Sequence, residues 1–230
     1  MLNINSFQTL GTVDGPGVRF VVFMQGCNFK CKYCHNPETV YENKNNLFTI
    51  EEIFKKFDIF KNYIFDKGGV TFSGGEPLLQ AKELIPLFKL LKEKGYHIAL
   101  DTNGSILNDY VKELLTYTDL VLLDLKMPNE KLYMEYMRAS DKTTLEFLNY
   151  LQSINKEVWI RQVIIKGVNN TKENIEFLRK VKELKNVSKI ELLPFKKLCL
   201  EKYKSMNLTF EMEDFPETDI KTIENLYKAL

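Results

Sequence analysis

Arginine is scarce in this 230-residue chain: it occurs only at positions 19, 138, 161 and 179, so 28 of the 32 basic residues are lysines. Such a composition favours a solvated surface over the planar, bidentate recognition that arginine supplies. No sign of charge dominates, with 31 acidic residues against 32 basic ones. Bulk electrostatic attraction to nucleic acid or to an anionic membrane is therefore not expected. No apolar run approaches the ~20 residues of a membrane span, and the opening MLNINSFQTL holds no signal-peptide core. The chain reads as cytoplasmic. Repeats, low-complexity tracts and Pro/Ser-rich linkers are missing too, which favours one domain over residues 1–230. Cysteine is the most telling scarcity. There are four, at 27, 31, 34 and 199, and three of them fall within eight residues. In a reducing compartment such a cluster points to metal binding and away from a disulfide.

What is present is ordinary globular material, 44% hydrophobic and 27% charged, which excludes wholesale disorder. Short β-rich runs alternate with amphipathic helical stretches. Strands are predicted at Val18–Met24, Gly69–Phe72, Tyr96–Leu100, Asp119–Leu125, Val158–Ile165 and Ile190–Leu193. Helices are predicted between them, with capping boxes at Thr49-x-x-Glu52 and Thr143-x-x-Glu146 and a stop at Gly95. A last helix carries Ile223, Leu226, Tyr227 and Leu230 on one face, closing a C-terminal extension over residues 194–230. Six strand–helix units imply a parallel sheet with right-handed crossovers. A closed eight-fold barrel takes about 250 residues, so the α/β fold expected here is a partial, open (β/α)6 barrel. Polar residues cluster just after the strands, the rim where such folds bind ligands.

Cys27-Asn-Phe-Lys-Cys31-Lys-Tyr-Cys34 sets three thiols on one loop. That spacing suits three corners of a cubane iron–sulfur cluster, which when fully protein-ligated takes four cysteines. One iron would stay open to a small molecule. The alternative is a zinc site completed by His35, as in a non-catalytic zinc-binding interaction protein.

Cys-x3-Cys-x2-Cys with Tyr33 before the last cysteine resembles the radical S-adenosylmethionine (radical SAM) superfamily. Gly11-Thr-Val-Asp-Gly-Pro-Gly-Val-Arg19 narrows the resemblance to activating enzymes of glycyl radical enzymes, and most of all to those that serve pyruvate formate-lyase. Cys34-His-Asn36, Ser73-Gly-Gly-Glu76, Asp101-Thr-Asn-Gly104, Leu123-Asp-Leu-Lys126, Trp159-Ile-Arg161 and Glu191-Leu-Leu-Pro194 extend it along nearly the whole chain. The resemblance implies a [4Fe–4S] cluster on Cys27, Cys31 and Cys34 and bound S-adenosylmethionine. Its reductive cleavage would give methionine and a 5′-deoxyadenosyl radical that removes a hydrogen from a partner's glycine. It also implies a glycyl radical enzyme as protein substrate and flavodoxin or ferredoxin as electron donor, and the chain is expected to be a monomer.

The rim residues carry two readings each. Gly75 and Glu76 suit a methionyl ammonium, or form a plain strand-to-helix turn. Asp124 and Lys126, alternate residues on one face around Leu125, suit the ligand's charged groups or an internal ion pair. Asp101 and Thr102 make a turn and cap, or, by the resemblance, hold a monovalent cation together with Asp124. The resemblance also places Tyr33, Asn36, Leu125, Val163 and Leu193 against the ligand, although core packing would account for Val163 and Leu193. It assigns Asp14 and Arg161 to the protein substrate; as a plain turn, Thr12–Arg19 would only lead into the first strand. Trp159 is expected in the core. Relatives carry histidine where this chain has Lys196, an ammonium that cannot stack on adenine but can reach ribose or a carboxylate. Cys199 is expected to be an incidental thiol. Pro37–Phe48 holds no cysteine, so the ferredoxin-like insertion of many relatives is absent there, which favours the pyruvate formate-lyase type over activases of more specialised glycyl radical enzymes; activation of another glycyl radical enzyme is the second reading. A compact activase of anaerobic ribonucleotide reductase would be shorter than this chain.

Overall fold

The computed structural model of the chain describes residues 1–41, 46–64 and 68–230. Their strands are β1 (Leu2–Gly11), β2 (Arg19–Met24), β3 (Leu47–Phe48), β4 (Gly69–Gly74), β5 (Ile98–Thr102), β6 (Leu120–Asp124), β7 (Val158–Ile164) and β8 (Val187–Pro194). The helices are α1 (Pro37–Tyr41), α2 (Ile50–Ile64), α3 (Ala81–Glu93), α4 (Asp109–Thr116), α5 (Glu130–Met137), α6 (Lys142–Ser153), α7 (Lys172–Lys182), α8 (Leu200–Ser205) and α9 (Ile220–Ala229). The strands form one sheet in the order β3-β1-β2-β4-β5-β6-β7-β8, with β3 and β8 at its two open ends. From β2 to β8 every pairing is parallel, as the six predicted units require.

The first two additions to the sequence reading lie at the amino-terminal edge. β1 and β3 were not expected, and both pair antiparallel. Leu2, Ile4 and Gly11 are the buried positions of β1, so its pattern is broken by bulges and too sparse to stand out. The short helices α1 and α8 were likewise missed. A correction concerns α6, which starts two residues earlier than Thr143-x-x-Glu146 suggests. Glu130 accepts hydrogen bonds from Ser140 Oγ and Asp141 N, and Ser140 Oγ accepts from Lys142 N. That tie fixes the entry at Asp141 and leaves Thr143 inside the helix. The Thr49 box is formed as expected: Glu52 accepts from Thr49 N at 2.7 Å and Thr49 Oγ accepts from Glu52 N at 3.2 Å.

The sheet faces its helices across the main core, which runs from Leu2 and Phe20 through Phe72, Phe88 and Leu100 to Ile160 and Ile164. On β7 the residues turned to the helices (158, 160, 162 and 164) are buried, and those turned to the concave face (159, 161 and 163) are half-buried. Trp159 thus packs on Ala99, Leu120 and Leu122 inside the concavity, with Lys189 Nζ 4.2 Å from its ring centroid. A second apolar layer gathers Phe29, Tyr33, Tyr133, Phe195, Cys199 and Tyr203 beneath the cysteine loop. The segment after β8 folds back over that layer. α9 then returns to β8, where the Tyr227 hydroxyl donates toward Ile190 O and accepts from Leu192 N, covering part of that open edge.

Candidate active site

The carboxyl ends of β2, β4, β5, β6, β7 and β8 surround a cavity of about 350 Å³, within the range of small-molecule sites. Cys27, Cys31 and Cys34 line it from the loop that follows β2, together with Tyr33 and Asn36. Gly75, Asp101, Thr102, Asp124 and Lys126 face them from the neighbouring strands, and Asp14, Arg161, Val163 and Leu193 complete the walls. The structure therefore brings together most of the residues that the sequence singles out.

Three are not brought to the cavity. Glu76 has no exposed surface and turns away, accepting from Leu78 N at 3.0 Å, Thr102 Oγ at 2.6 Å and Asn103 N at 2.8 Å. Burial outweighs these bonds and pushes its pKa up to about 7. Leu125 points into the main core. Lys196 lies outside the cavity, where its ammonium pairs with Glu217 at 2.9 Å. Its backbone carbonyl, not its side chain, serves the loop by accepting from His35 Nε2 at 2.8 Å.

The glycines answer to backbone contact. A Cβ at Gly75 would stand 1.9 Å from Gly26 O, so only glycine lets β4's end meet the cysteine loop. Gly75 N then donates to Met24 O, and Glu76 N to Gly26 O at 2.8 Å. The loop is also held by a residue that sequence reasoning missed. Lys202, on α8, donates to His35 O, Asn36 Oδ1 and Glu38 Oε1 at 3.0, 3.1 and 2.6 Å. No spacing signals a contact between residues some 166 apart in sequence.

Parallel register sets the charged wall, because it places Asp124 beside Arg161 and Arg161 beside Glu191. Arg161 reaches Asp101 at 3.3 Å and Glu191 at 3.6 Å, and Ser73 Oγ donates to Asp101 at 2.6 Å. Asp101 Oδ1 is buried without a hydrogen-bond partner. Burial lifts the Asp101 carboxyl to about 6, against the opposing pull of Arg161. Asp124 and Lys126 form an ion pair at 2.7 Å. Burial alone would lower the Lys126 pKa, but Asp124 beside it holds the ammonium well above its usual range. Burial also raises Asp14.

The three thiols sit where an unpaired thiolate is costly. Burial, reinforced for Cys27 and Cys34 by the neighbouring cysteines, raises all three, Cys34 to about 12. A positively charged centre would remove that penalty. A zinc site completed by His35 would need one of its ring nitrogens. His35 has Nε2 engaged by Lys196 O. Three thiols from one loop line the cavity, with Cys199 buried in the layer below, and this donor set fits the cubane cluster.

The family model of the Radical SAM superfamily matches residues 21–187. The chain is 43% identical over its full length to the pyruvate formate-lyase-activating enzyme of Clostridium pasteurianum, covering 97% of that protein. The chain belongs to the radical SAM superfamily. It is also 37% identical to the pyruvate formate-lyase 1-activating enzyme of Escherichia coli K12, over 97% of this chain and 92% of the relative. Both relatives are named as enzymes that activate pyruvate formate-lyase. A radical SAM methyltransferase from Sphaerobacter thermophilus shares the fold, with a TM-score of 0.66 at 16% identity over 92% of this chain and 63% of the methyltransferase. Both agree with the open α/β sheet described above. Radical SAM membership implies a [4Fe–4S] cluster and S-adenosylmethionine. No helix among the described residues is long and apolar enough to cross a membrane.

Proposed function

We propose that this chain is an activase of pyruvate formate-lyase, acting on one glycine of that enzyme. The observation that carries the proposal is the set of three thiols, Cys27, Cys31 and Cys34, on the wall of a cavity that Asp14, Asp101, Asp124, Lys126 and Arg161 also line. When bound, the cluster and S-adenosylmethionine supply a one-electron cleavage of the sulfonium and the radical chemistry that removes hydrogen from the glycine. The protein's part is to hold, orient and keep dry. Lys202 and the Gly75 contact fix the loop that holds the cluster. Asp124 and Lys126 offer opposite charges to the ligand's ammonium and carboxylate, while Val163, Leu193, Tyr33 and Asn36 wall its nucleoside end. Glu76 acts from behind, pinning the 102–103 segment. The unpartnered Asp101 oxygen, with Thr102 and Asp124 nearby, suits a monovalent cation beside the ligand. Asp14 and Arg161 face the partner's glycine.

We further read residues 1–230 as one radical SAM domain with 194–230 as its extension, working as a monomer in an oxygen-free cytoplasm with flavodoxin or ferredoxin as donor. Anaerobic reconstitution tests the whole reading. The expected product is a brown protein with about four irons per chain that, reduced and given S-adenosylmethionine, raises a glycyl radical signal on pyruvate formate-lyase. A colourless protein holding one zinc overturns it.

A further inference from the structure

Arg19 opens β2 and has no exposed surface. Among the described residues no carboxylate pairs with it; Asp119 and Asp14 act only at longer range. Its partners are neutral. Nε donates to Thr71 Oγ at 2.9 Å, Nη1 to Pro16 O at 3.4 Å and to His97 Nδ1 at 3.1 Å, and Nη2 to Val70 O at 2.6 Å and His97 O at 3.4 Å. Desolvation drags the guanidinium down to about 10. A buried charge without a counterion weakens a fold, so its presence calls for a reason other than stability. What five donors in one rigid plane provide is geometry.

Those donors tie β4 and the lead into β5 to the 12–18 turn, and the tie continues through one hydroxyl. Thr71 Oγ accepts from Arg19 and therefore spends its own hydrogen on Asp14 O, at 2.6 Å. Gly69, at φ +154°, makes the room: a Cβ there would lie 2.1 Å from His97 O and 2.7 Å from Arg19 Nη1. The turn joins β1 to the start of β2, so it enters from the amino ends of the parallel strands, opposite the cysteine rim. Asp14 nevertheless lines the cavity. The turn must run up into the concavity and be held there.

We propose that Arg19 is a positioning residue, which with Thr71 clamps the 12–18 turn inside the sheet and so fixes Asp14 at the cavity for the partner's glycine. This role rests on the activase reading above. Arg19 variants would strip acceptors on several segments at once, so the test is made at Thr71. In Thr71→Val the hydroxyl link is cut with little change of shape, and Thr71→Ser keeps it. On the reconstituted enzyme, Thr71→Val is expected to raise KM for pyruvate formate-lyase about tenfold with kcat within about twofold. Amide hydrogen exchange in residues 12–18 should quicken about tenfold, while β4 and β5 and the affinity for S-adenosylmethionine stay as they were. Thr71→Ser should restore both readouts. Unchanged KM and exchange, exchange raised evenly through the sheet, or a serine variant as impaired as valine would each overturn the clamp. A wild-type enzyme that raises no radical on pyruvate formate-lyase would instead overturn the choice of partner, and the exchange measurement would still decide the clamp.

Discussion

Cys199 and Cys31 meet the same apolar layer, yet only Cys31 also faces the cavity. Burial raises the Cys199 pKa and so favours the protonated thiol. Cys31→Ser is expected to lose iron on anaerobic reconstitution, and Cys199→Ser to keep its full complement. Equal losses in an iron assay would bring Cys199 into the cluster. Glu76 makes a different statement about burial. Its pKa is about 7 in the fold against 4.5 in the unfolded chain, so the fold prefers the protonated form. The stability this confers is complete below pH 4.5 and is lost as pH rises through 7. The span is on the order of 3 kcal/mol. Glu76→Gln should therefore flatten the fall in melting temperature of the metal-free protein between pH 5 and 8, and an unchanged slope would place the titration elsewhere.

Local signals carry as far as the contacts they encode are local. The Thr49 box on α2 involves four consecutive residues, and it forms as written. Removing it with Thr49→Ala should lower stability by about 1 kcal/mol without changing iron content, which urea unfolding and an iron assay on one sample will show. The Thr143 pattern is as good on paper and fails, because Glu130, from the preceding helix, sets where α6 begins. β1 escapes notice since half its length serves an edge pairing with bulges, where alternation is lost. The cysteine loop shows the same division. Its ligand spacing is legible in eight residues, whereas the Lys202 strap, the Gly75–Gly26 contact and the inward turn of Glu76 depend on which segments pack together. Lys196 is legible as an unusual residue but not as one that pairs with Glu217 and offers the loop only its carbonyl.

At the scale of the molecule, an open sheet leaves a way in for a protein loop, and a glycine has no side chain by which to be gripped. Recognition must then fall on backbone groups, for which a carboxylate fixed on a rigid turn is a suitable acceptor. Asp14 is such a carboxylate, held by its own carbonyl to Thr71 and facing Arg161 and Asp101 across the cavity. Burial raises its pKa, so the fold bears a cost in keeping it ionised at neutral pH. A neutral amide of the same shape avoids that cost. Asp14→Asn is accordingly expected to melt at or above the temperature of the parent at pH 7 and to bind its iron normally. Radical yield on pyruvate formate-lyase should fall about tenfold or more, the loss of one charged hydrogen bond. If Asp14 served only the turn, the opposite pattern would follow, with a lower melting temperature and an unimpaired radical signal. A site that improves in stability when its carboxylate is removed, and fails in its reaction, keeps that carboxylate for the partner.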